Sequence, residues 1–332
     1  MLPSGGFELA KCLAGKKIEV RLVSSAPASL LSRVSHKVLK TLTARWIAQQ
    51  NPDLVVISQG AISNGLSWMQ RCRRMNLPYA IVVQSNAESW WPDDILASEL
   101  LKVCRSARAI FCVSDHNLKL LERQLGEKLP NAVRVSNPCI IGQPQLVPWP
   151  NETGAWRLAT VGRLHPPAKA QDILFEVLAE DKWQGRPVEL NLYGEGPCEN
   201  SLRNLAGFFN LKNVRFYGQV SDVVSIWRNN HLLVLPSRHE GTPLALIEAM
   251  ACGRPAVVTD VGGNAELCED GITGFVASAA TKRLLAEALE RAWLYRAEWQ
   301  SMGEAALARL RTTMPSDPIE TFCEQLQACA TR

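Results

Sequence analysis

The sequence predicts an α/β protein built from two doubly wound, Rossmann-like domains, each on a parallel sheet. Three observations support this prediction. The 332 residues exceed the length at which one core keeps growing, so two domains are expected. Strand-like apolar runs alternate with amphipathic helical patterns along the chain, which is typical of βαβ units. A stretch with three prolines and no periodicity, residues 143–153, divides the chain near its middle.

The first half contains five predicted strands, with helical patterns before or between them. These strands are residues 18–23, 54–58, 79–84, 109–114 and 132–135. The run QPQLVPWPNET after them is typical of an interdomain linker. The first domain is therefore predicted to span residues 1–142.

The second half repeats this alternation with a second set of strands. They are residues 156–161, 188–193, 214–217, 232–236 and 256–259, followed by a short run at 274–276. The sequence MPSDP at 314–318 then interrupts the helical pattern, and a last amphipathic stretch covers 319–330. The second domain is predicted to span residues 154–314.

Composition and cysteine usage predict a soluble protein of the cytoplasm. No apolar stretch reaches 18 residues, and the start, MLPSGGFELAKC, lacks the apolar region of a secretory signal. None of the ten cysteines belongs to a C-x-x-C pair. Several lie in apolar stretches, so reduced core thiols are expected rather than disulfides, and no structural metal is predicted.

The charge is distributed unevenly between the two halves. Residues 1–150 hold 18 Lys and Arg against 10 Asp and Glu, whereas residues 151–332 hold 18 against 22. A basic first half, densest at Arg71, Arg73 and Arg74, favours contact with an anionic membrane face or with a phosphorylated acceptor. A solvated helix face is the alternative for that patch. No nucleic-acid partner is predicted.

The run SRHEGTPLALIEAMACGRPAVVTDVGG at 237–263 places a carboxylate, Glu248, inside an apolar helical stretch. Thr242 is predicted as the N-cap of that helix and Pro243 as its first residue, so four unpaired backbone N–H groups form an anion site. Glu240 lies just before the cap. Phosphate-binding amides beside two acceptors of hydroxyl groups suggest a nucleotide sugar. The alternative is that Glu248 forms a buried ion pair at an ordinary helix start.

The carboxyl ends of the strands in the second half carry the other unusual residues. With the strand order 3-2-1-4-5, ligands bind where the order reverses. Arg163 and Lys169, after the first of these strands, are then expected to face the loop of Glu240 across a crevice. A guanidinium, an ammonium and a helix N-terminus together would neutralise a diphosphate.

The two glutamates, seven residues apart, resemble the Glu-x7-Glu signature of retaining GT-B glycosyltransferases, in particular glycosyltransferase family 4. The resemblance is dense over residues 160–274 and includes VGRL with its nearby lysine. It implies two Rossmann-like domains facing each other across a cleft. It also implies transfer of a sugar from a UDP- or GDP-sugar to a glycan, lipid-linked or small-molecule acceptor, with retention of configuration. Because no D-x-D sequence occurs, metal-independent transfer without a cofactor is expected.

The resemblance also assigns roles to residues. Arg163 and Lys169 would stabilise the leaving diphosphate, Glu240 would contact the donor sugar near its anomeric carbon, and Glu248 would accept the ribose hydroxyls. The remaining predicted donor contacts are Gly194, Gly218, Gly241, Thr242, Pro243, Leu244, Gly6 and Asn86. The terminal helix, 319–330, is expected to pack back on the first domain.

One feature departs from the family pattern. Gly5 and Gly6 resemble the loop that follows the family's first strand, yet they come almost directly after Met1. The first strand is therefore missing, and a true start upstream of Met1 is expected; an amino-terminal sheet short of that strand is the alternative.

Other functions remain open at this point. A non-catalytic subunit that binds a nucleotide sugar would share the same residues, and so would another GT-B enzyme such as an epimerase or a phosphorylase. An epimerase needs acid and base carboxylates near the sugar, and a phosphorylase needs a cofactor lysine. The sequence marks neither.

Overall fold

The structure is a computed structural model of the chain, and it describes residues 46–47, 49–139, 141–142, 144–150 and 154–331. Its first sheet has four parallel strands that lie in chain order. These are β1 (Val55–Gln59), β2 (Tyr79–Val83), β3 (Ala109–Cys112) and β4 (Ala132–Arg134). β2 and β3 are buried along their whole length, because helices cover both faces of a parallel sheet.

The second sheet has six parallel strands. They are β5 (Trp156–Val161), β6 (Val188–Tyr193), β7 (Val214–Gly218), β8 (Leu232–Leu235), β9 (Ala256–Thr259) and β10 (Gly274–Ala277). Their order, β10-β9-β8-β5-β6-β7, contains the predicted reversal between β5 and β8. The α/β prediction with two parallel sheets is confirmed.

Helices connect the strands. In the first part they are α1 (Leu66–Arg74), α2 (Asp94–Ser106) and α3 (Asp115–Leu125). In the second they are α4 (Pro166–Lys169), α5 (Gln171–Leu178), α6 (Asp181–Gln184), α7 (Glu199–Phe208), α8 (Val223–Asn229), α9 (Leu244–Ala251), α10 (Asn264–Leu267), α11 (Lys282–Leu294), α12 (Trp299–Thr313) and α13 (Pro318–Ala330). The second sheet separates two apolar clusters, one against α5, α7 and α11 and the other against α8, α9 and α12. This arrangement leaves the carboxyl ends of its strands open to the crevice.

The last helix, α13, crosses back to the first sheet. Cys323, Leu326 and Cys329 pack against a face of β2 and β3. Phe322 meets Phe111 edge to face, with 5.1 Å between ring centroids. Apolar burial therefore holds the tail against the first sheet.

Several expectations fall on residues that the structure does not describe. The predicted strand at 18–23 and the Gly5-Gly6 loop lie outside the described residues, and so does the start of the chain to which the expectation about the first strand refers. Within the described part of the chain, no helix is long and apolar enough to cross a membrane.

Candidate active site

At the carboxyl edge of the second sheet, the backbone segments that follow neighbouring strands contact each other. A Cβ on Gly194, which follows β6, would lie 2.2 Å from the carbonyl oxygen of Gly162 at the end of β5. Gly194 N donates to the carbonyl of Gly218 at the end of β7. Gly194 and Gly218, both with positive φ, therefore shape the floor of the crevice.

Glu240 and Lys169, which the sequence predicted to face each other, form an ion pair. Glu240 Oε1 accepts from Lys169 Nζ at 2.5 Å and from the Ser237 hydroxyl at 2.7 Å. The carboxylate is buried, and the lysine is mostly buried. A buried charge pair with an added hydrogen bond is well satisfied, so this pair holds the loop after β8 against the segment after β5.

Arg163 stands on the exposed side of the same crevice. Its carbonyl accepts from Gln171 Nε2 at 3.0 Å, which fixes the backbone there. Nearby, burial lowers the pKa of His239, and the positive charges of Lys169 and Arg163 act in the same direction. Lys169 and Arg163 thus place two positive charges near His239, while the Glu240 carboxylate acts on the pKa of that histidine in the opposite direction.

Glu248 is 5% exposed on α9, and burial raises its pKa to about 7. No described residue donates a hydrogen bond to its carboxylate or forms an ion pair with it. The alternative of a buried ion pair thus finds no partner in the part of the chain that the structure covers. A largely buried carboxylate without a protein partner among the described residues is a candidate for binding a ligand.

The predicted start of α9 is wrong by one residue. Helix α9 begins at Leu244, and the cap position belongs to Pro243 with φ −70° and ψ 128°. The Thr242 hydroxyl does not cap the helix, because it donates to the carbonyl of Val113 in the first domain. Cross-domain bonding has replaced local capping.

The anion site at this helix end is smaller than predicted. The amides of Leu246 and Ile247 already donate to the Pro243 carbonyl. The amides of Leu244 and Ala245 have no acceptor among the described residues. Two N–H groups rather than four therefore remain for an anion.

Asn86 is buried and its amide is used by the protein. Nδ2 donates to Gln124 Oε1 at 2.8 Å, and Oδ1 accepts from the Ala87 amide at 2.8 Å. Its backbone forms an antiparallel bridge with Glu240. Asn86 thus lies beside the site, while its contact with a donor sugar stays a prediction, and Gly6 lies outside the described residues.

The sequence missed the residues of the first domain that bind this loop. Asn117 Nδ2 donates to the Glu240 carbonyl at 3.1 Å, and Asn137 Nδ2 donates to the Thr242 carbonyl at 2.7 Å. Trp90 packs on His239 with 4.6 Å between ring centroids. Position at the carboxyl edge of the first sheet was the only signal in the sequence, and it does not say which side chains reach across.

No group of three or more His, Cys, Asp or Glu side chains suited to a metal occurs among the described residues. The buried thiols of Cys104, Cys112 and Cys252 have pKa values raised by burial to about 12, so they are inert core groups at neutral pH. Transfer without a metal or cofactor stays a prediction.

Comparison with known families and curated proteins shows what the second domain resembles. Residues 155–294 match the family model for glycosyl transferases group 1. An uncharacterized glycosyltransferase of Methanocaldococcus jannaschii is 31% identical over 173 residues, which cover 51% of this chain and 44% of that protein. The alpha-D-kanosaminyltransferase of Streptomyces kanamyceticus is 34% identical over 134 residues, covering 40% and 34%.

A third relative, the O-antigen biosynthesis glycosyltransferase WbnH of Escherichia coli, is 30% identical over 160 residues, covering 48% of this chain and 44% of that protein. The matched segment spans less than half the length of each of these relatives. Residues 155–294 are thus similar to the group 1 glycosyl transferases.

Solved structures extend the likeness to the whole fold. Sucrose-phosphate synthase of Thermosynechococcus elongatus superposes with a TM-score of 0.76 at 17% identity, over 98% of this chain and 92% of that one. HepE of Anabaena, in its complex with UDP and glucose, gives 0.73 at 17% identity, over 96% and 88%. The chain therefore has the GT-B fold of two Rossmann-like domains.

Proposed function

We propose that this protein transfers a sugar from a UDP- or GDP-sugar to a glycan, lipid-linked or small-molecule acceptor, with retention of configuration and without a metal. The single observation that supports this most is the Glu240–Lys169 pair, set beside Arg163 and the open N-terminus of α9 in a domain similar to the group 1 glycosyl transferases. Those groups match the charge and hydroxyl pattern of a nucleotide sugar. The relatives' names favour a role in the synthesis of a polysaccharide or related glycan.

The donor would lie along the strand ends of the second sheet. Its diphosphate carries about two negative charges, which Arg163, Lys169 and the free amides of Leu244 and Ala245 neutralise. The ribose hydroxyls donate to Glu248. These hydrogen bonds favour the ionised form of a carboxylate whose pKa burial has raised to about 7.

Lys169 changes partner in this mechanism. In the free protein its ammonium is held by Glu240. When the diphosphate arrives, the ammonium turns to it, and the Glu240 carboxylate is released toward the sugar hydroxyls near the anomeric carbon. Lysine suits this exchange because it is a point charge on a flexible stem.

The reaction replaces one bond at the anomeric carbon by another on the same face. The bond from that carbon to the diphosphate oxygen breaks, the acceptor oxygen forms the new bond, and the acceptor proton passes to the departing diphosphate. Negative charge on the diphosphate grows during this step, so Arg163 and Lys169 stabilise the transition state more than the bound donor.

The first test is thermal stabilisation by a panel of UDP- and GDP-sugars. We expect one donor to raise the Tm of the wild type and of Arg203→Ala, a control that removes an exposed arginine paired with Glu199 on α7. Arg163→Ala should respond slightly less, because it loses one charge on the diphosphate while its main effect falls on the chemical step. A panel that stabilises none of the three proteins would contradict the proposal.

Turnover and its stereochemistry form the second test. With the stabilising donor and an acceptor library, the product linkage should keep the donor's anomeric configuration by NMR, and EDTA should leave the rate unchanged. Donor binding without transfer or hydrolysis would instead favour the non-catalytic subunit.

We further propose that the first domain contacts an anionic membrane face. Arg73 and Arg74 on α1 are exposed, and Gln70 Nε2 joins α1 to α2 through Glu99 at 2.9 Å. Trp91, just before α2, is 56% exposed, and Ile95, in the first turn of α2, is 79% exposed. Basic residues next to exposed apolar side chains suit an interface of anionic headgroups and acyl chains.

Vesicle flotation tests this contact. The wild type should bind phosphatidylserine vesicles and not phosphatidylcholine vesicles. Arg73→Glu with Arg74→Glu should lose this binding, whereas the control pair Lys282→Glu with Arg283→Glu on α11 should keep it. Equal binding to both lipids, or equal loss in both double variants, would refute the proposal.

A further inference from the structure

The Glu240 loop, residues 239–242, is held by the first domain although it belongs to the second. Two of its carbonyls accept side-chain amides from across the crevice: Glu240 O from Asn117 and Thr242 O from Asn137. Asn117 is fully buried. A buried side chain that bonds a backbone carbonyl fixes backbone position and does not contact a ligand through that group.

The loop also contacts the backbone of the first domain. The Thr242 hydroxyl donates to the Val113 carbonyl at 2.5 Å. A Cβ on Gly241 would lie only 1.9 Å from the Gln84 carbonyl oxygen. The close approach leaves no room for water between the two domains at this point, so the bonds here are direct.

Its own domain holds the loop from the other side. Gly263 N donates to the Gly241 carbonyl at 2.6 Å, and a Cβ on Gly262 would meet the carbonyls of Gly241 and Glu240 at 2.3 and 2.5 Å. These contacts support the base of the loop. Among the described residues, the carbonyls of Glu240 and Thr242 accept side-chain hydrogen bonds from the first domain alone.

We propose that Asn117 and Asn137 of the first domain are positioning residues for donor binding, because they hold the Glu240 loop in the shape that binds the donor. This inference rests on the proposed function. The inference goes beyond the proposed function because it gives the first domain a part in donor binding. Asn117 and Asn137 take that part without touching the donor. Donor affinity is thereby coupled to the contact between the domains, as linkage requires.

The experiment compares cross-domain variants with matched variants inside one domain. Asn117→Ala removes the bond to the loop, and Asn131→Ala removes two equivalent amide-to-carbonyl bonds within the first domain. Thr242→Val removes a buried hydroxyl bond across the crevice, and Thr160→Val removes one within the second domain. Each valine keeps the shape of the threonine it replaces.

Two measurements are made on the full chain. Hydrogen exchange of peptides covering 237–246 should rise about tenfold or more in Asn117→Ala and Thr242→Val, and stay at the wild-type rate in both controls. The Kd for UDP or GDP, whichever the wild type binds, should weaken about 2- to 12-fold in Asn117→Ala, the range expected for one net hydrogen bond.

The outcomes separate this inference from the proposed function. Unchanged loop exchange, an equal rise in the controls, or faster exchange with an unchanged Kd would each overturn the positioning role. If the wild type binds neither nucleotide while loop exchange still rises, the loop contacts stand and the nucleotide-sugar function falls.

Discussion

Arg163 is the residue whose loss should separate chemistry from binding. Its guanidinium stabilises charge that grows on the leaving diphosphate, so Arg163→Ala should lower kcat by roughly 10²-fold, the scale of a deleted oxyanion donor. Steady-state kinetics with the stabilising donor measure this effect. The same rate with only a raised KM would show that Arg163 binds the donor without assisting its departure.

Glu248 should make stability depend on pH. Burial raises its pKa in the folded state to about 7, above the ordinary glutamate value of 4.5. Below pH 4.5 the Glu248 carboxyl is protonated in both the folded and the unfolded state, so it does not lower the free energy of unfolding. Between pH 4.5 and 7 the unfolded state ionises first, so stability falls with rising pH and stays reduced above pH 7. The full loss is on the order of 3 kcal/mol.

Glu248→Gln removes this penalty because the amide does not ionise. We expect the variant to gain stability over the wild type at pH 8 and not at pH 4, and to bind UDP or GDP more weakly. Denaturant unfolding at the two pH values measures the difference, and Glu304→Gln on the exposed side of α12 is the control. A large loss of stability at pH 8 with unchanged nucleotide binding would instead support the alternative that Glu248 forms a buried ion pair.

At the scale of elements, the meeting of the Glu240 loop with the strand end of β2 depends on a glycine. Gly241→Ala places a methyl group 1.9 Å from the Gln84 carbonyl, so the loop must move away from the first domain. We expect weaker donor binding and a lower Tm.

A second glycine provides the matched control. Gly207 lies exposed in α7, and a Cβ there would meet nothing within 4 Å. Gly207→Ala should leave binding unchanged and raise stability by about 0.5–1 kcal/mol, because alanine loses less chain entropy in a helix. Calorimetry of both variants checks the pair. Equal donor affinity in Gly241→Ala and the wild type would refute the close contact.

At the scale of the whole molecule, one buried arginine fastens the segment between the domains. Arg254 is 1% exposed. Its guanidinium donates to the carbonyls of Val147 and Pro148 in that segment, and to those of Trp227 and Asn230 in the second domain. Burial lowers its pKa to about 10, so it stays charged at neutral pH.

Arg254→Lys should release the segment. A lysine has three donors at one point and cannot reach all of these carbonyls, so roughly 3 kcal/mol of stability should be lost. Limited proteolysis should then cut within 144–150. Arg311→Lys, which changes an exposed arginine with one bond to the Pro144 carbonyl, is the control and should resist. Equal cleavage of both variants would show that Arg254 is not the anchor.

The α/β class, most strand positions and the order of the second sheet could be predicted from the amino-acid sequence. These follow from local periodicity and from connection rules, which the chain carries in every segment. The sequence also predicted that Lys169 and Glu240 lie together, because both follow strands that end at the same edge. The apolar residues that surround Glu248 in the sequence likewise predicted its buried, apolar environment.

The hydrogen-bond partners of Thr242, Asn117 and Asn137 could not be predicted from the sequence, because they depend on how the two domains meet. The local pattern predicted that the Thr242 hydroxyl caps its own helix. In the folded protein it donates to the carbonyl of Val113 in the first domain. Side-chain amides can bond any exposed carbonyl, so their partners depend on which backbone groups the fold brings within about 3 Å. Contacts between residues more than a hundred positions apart produce no periodic pattern in the sequence, so they become visible only in the folded structure.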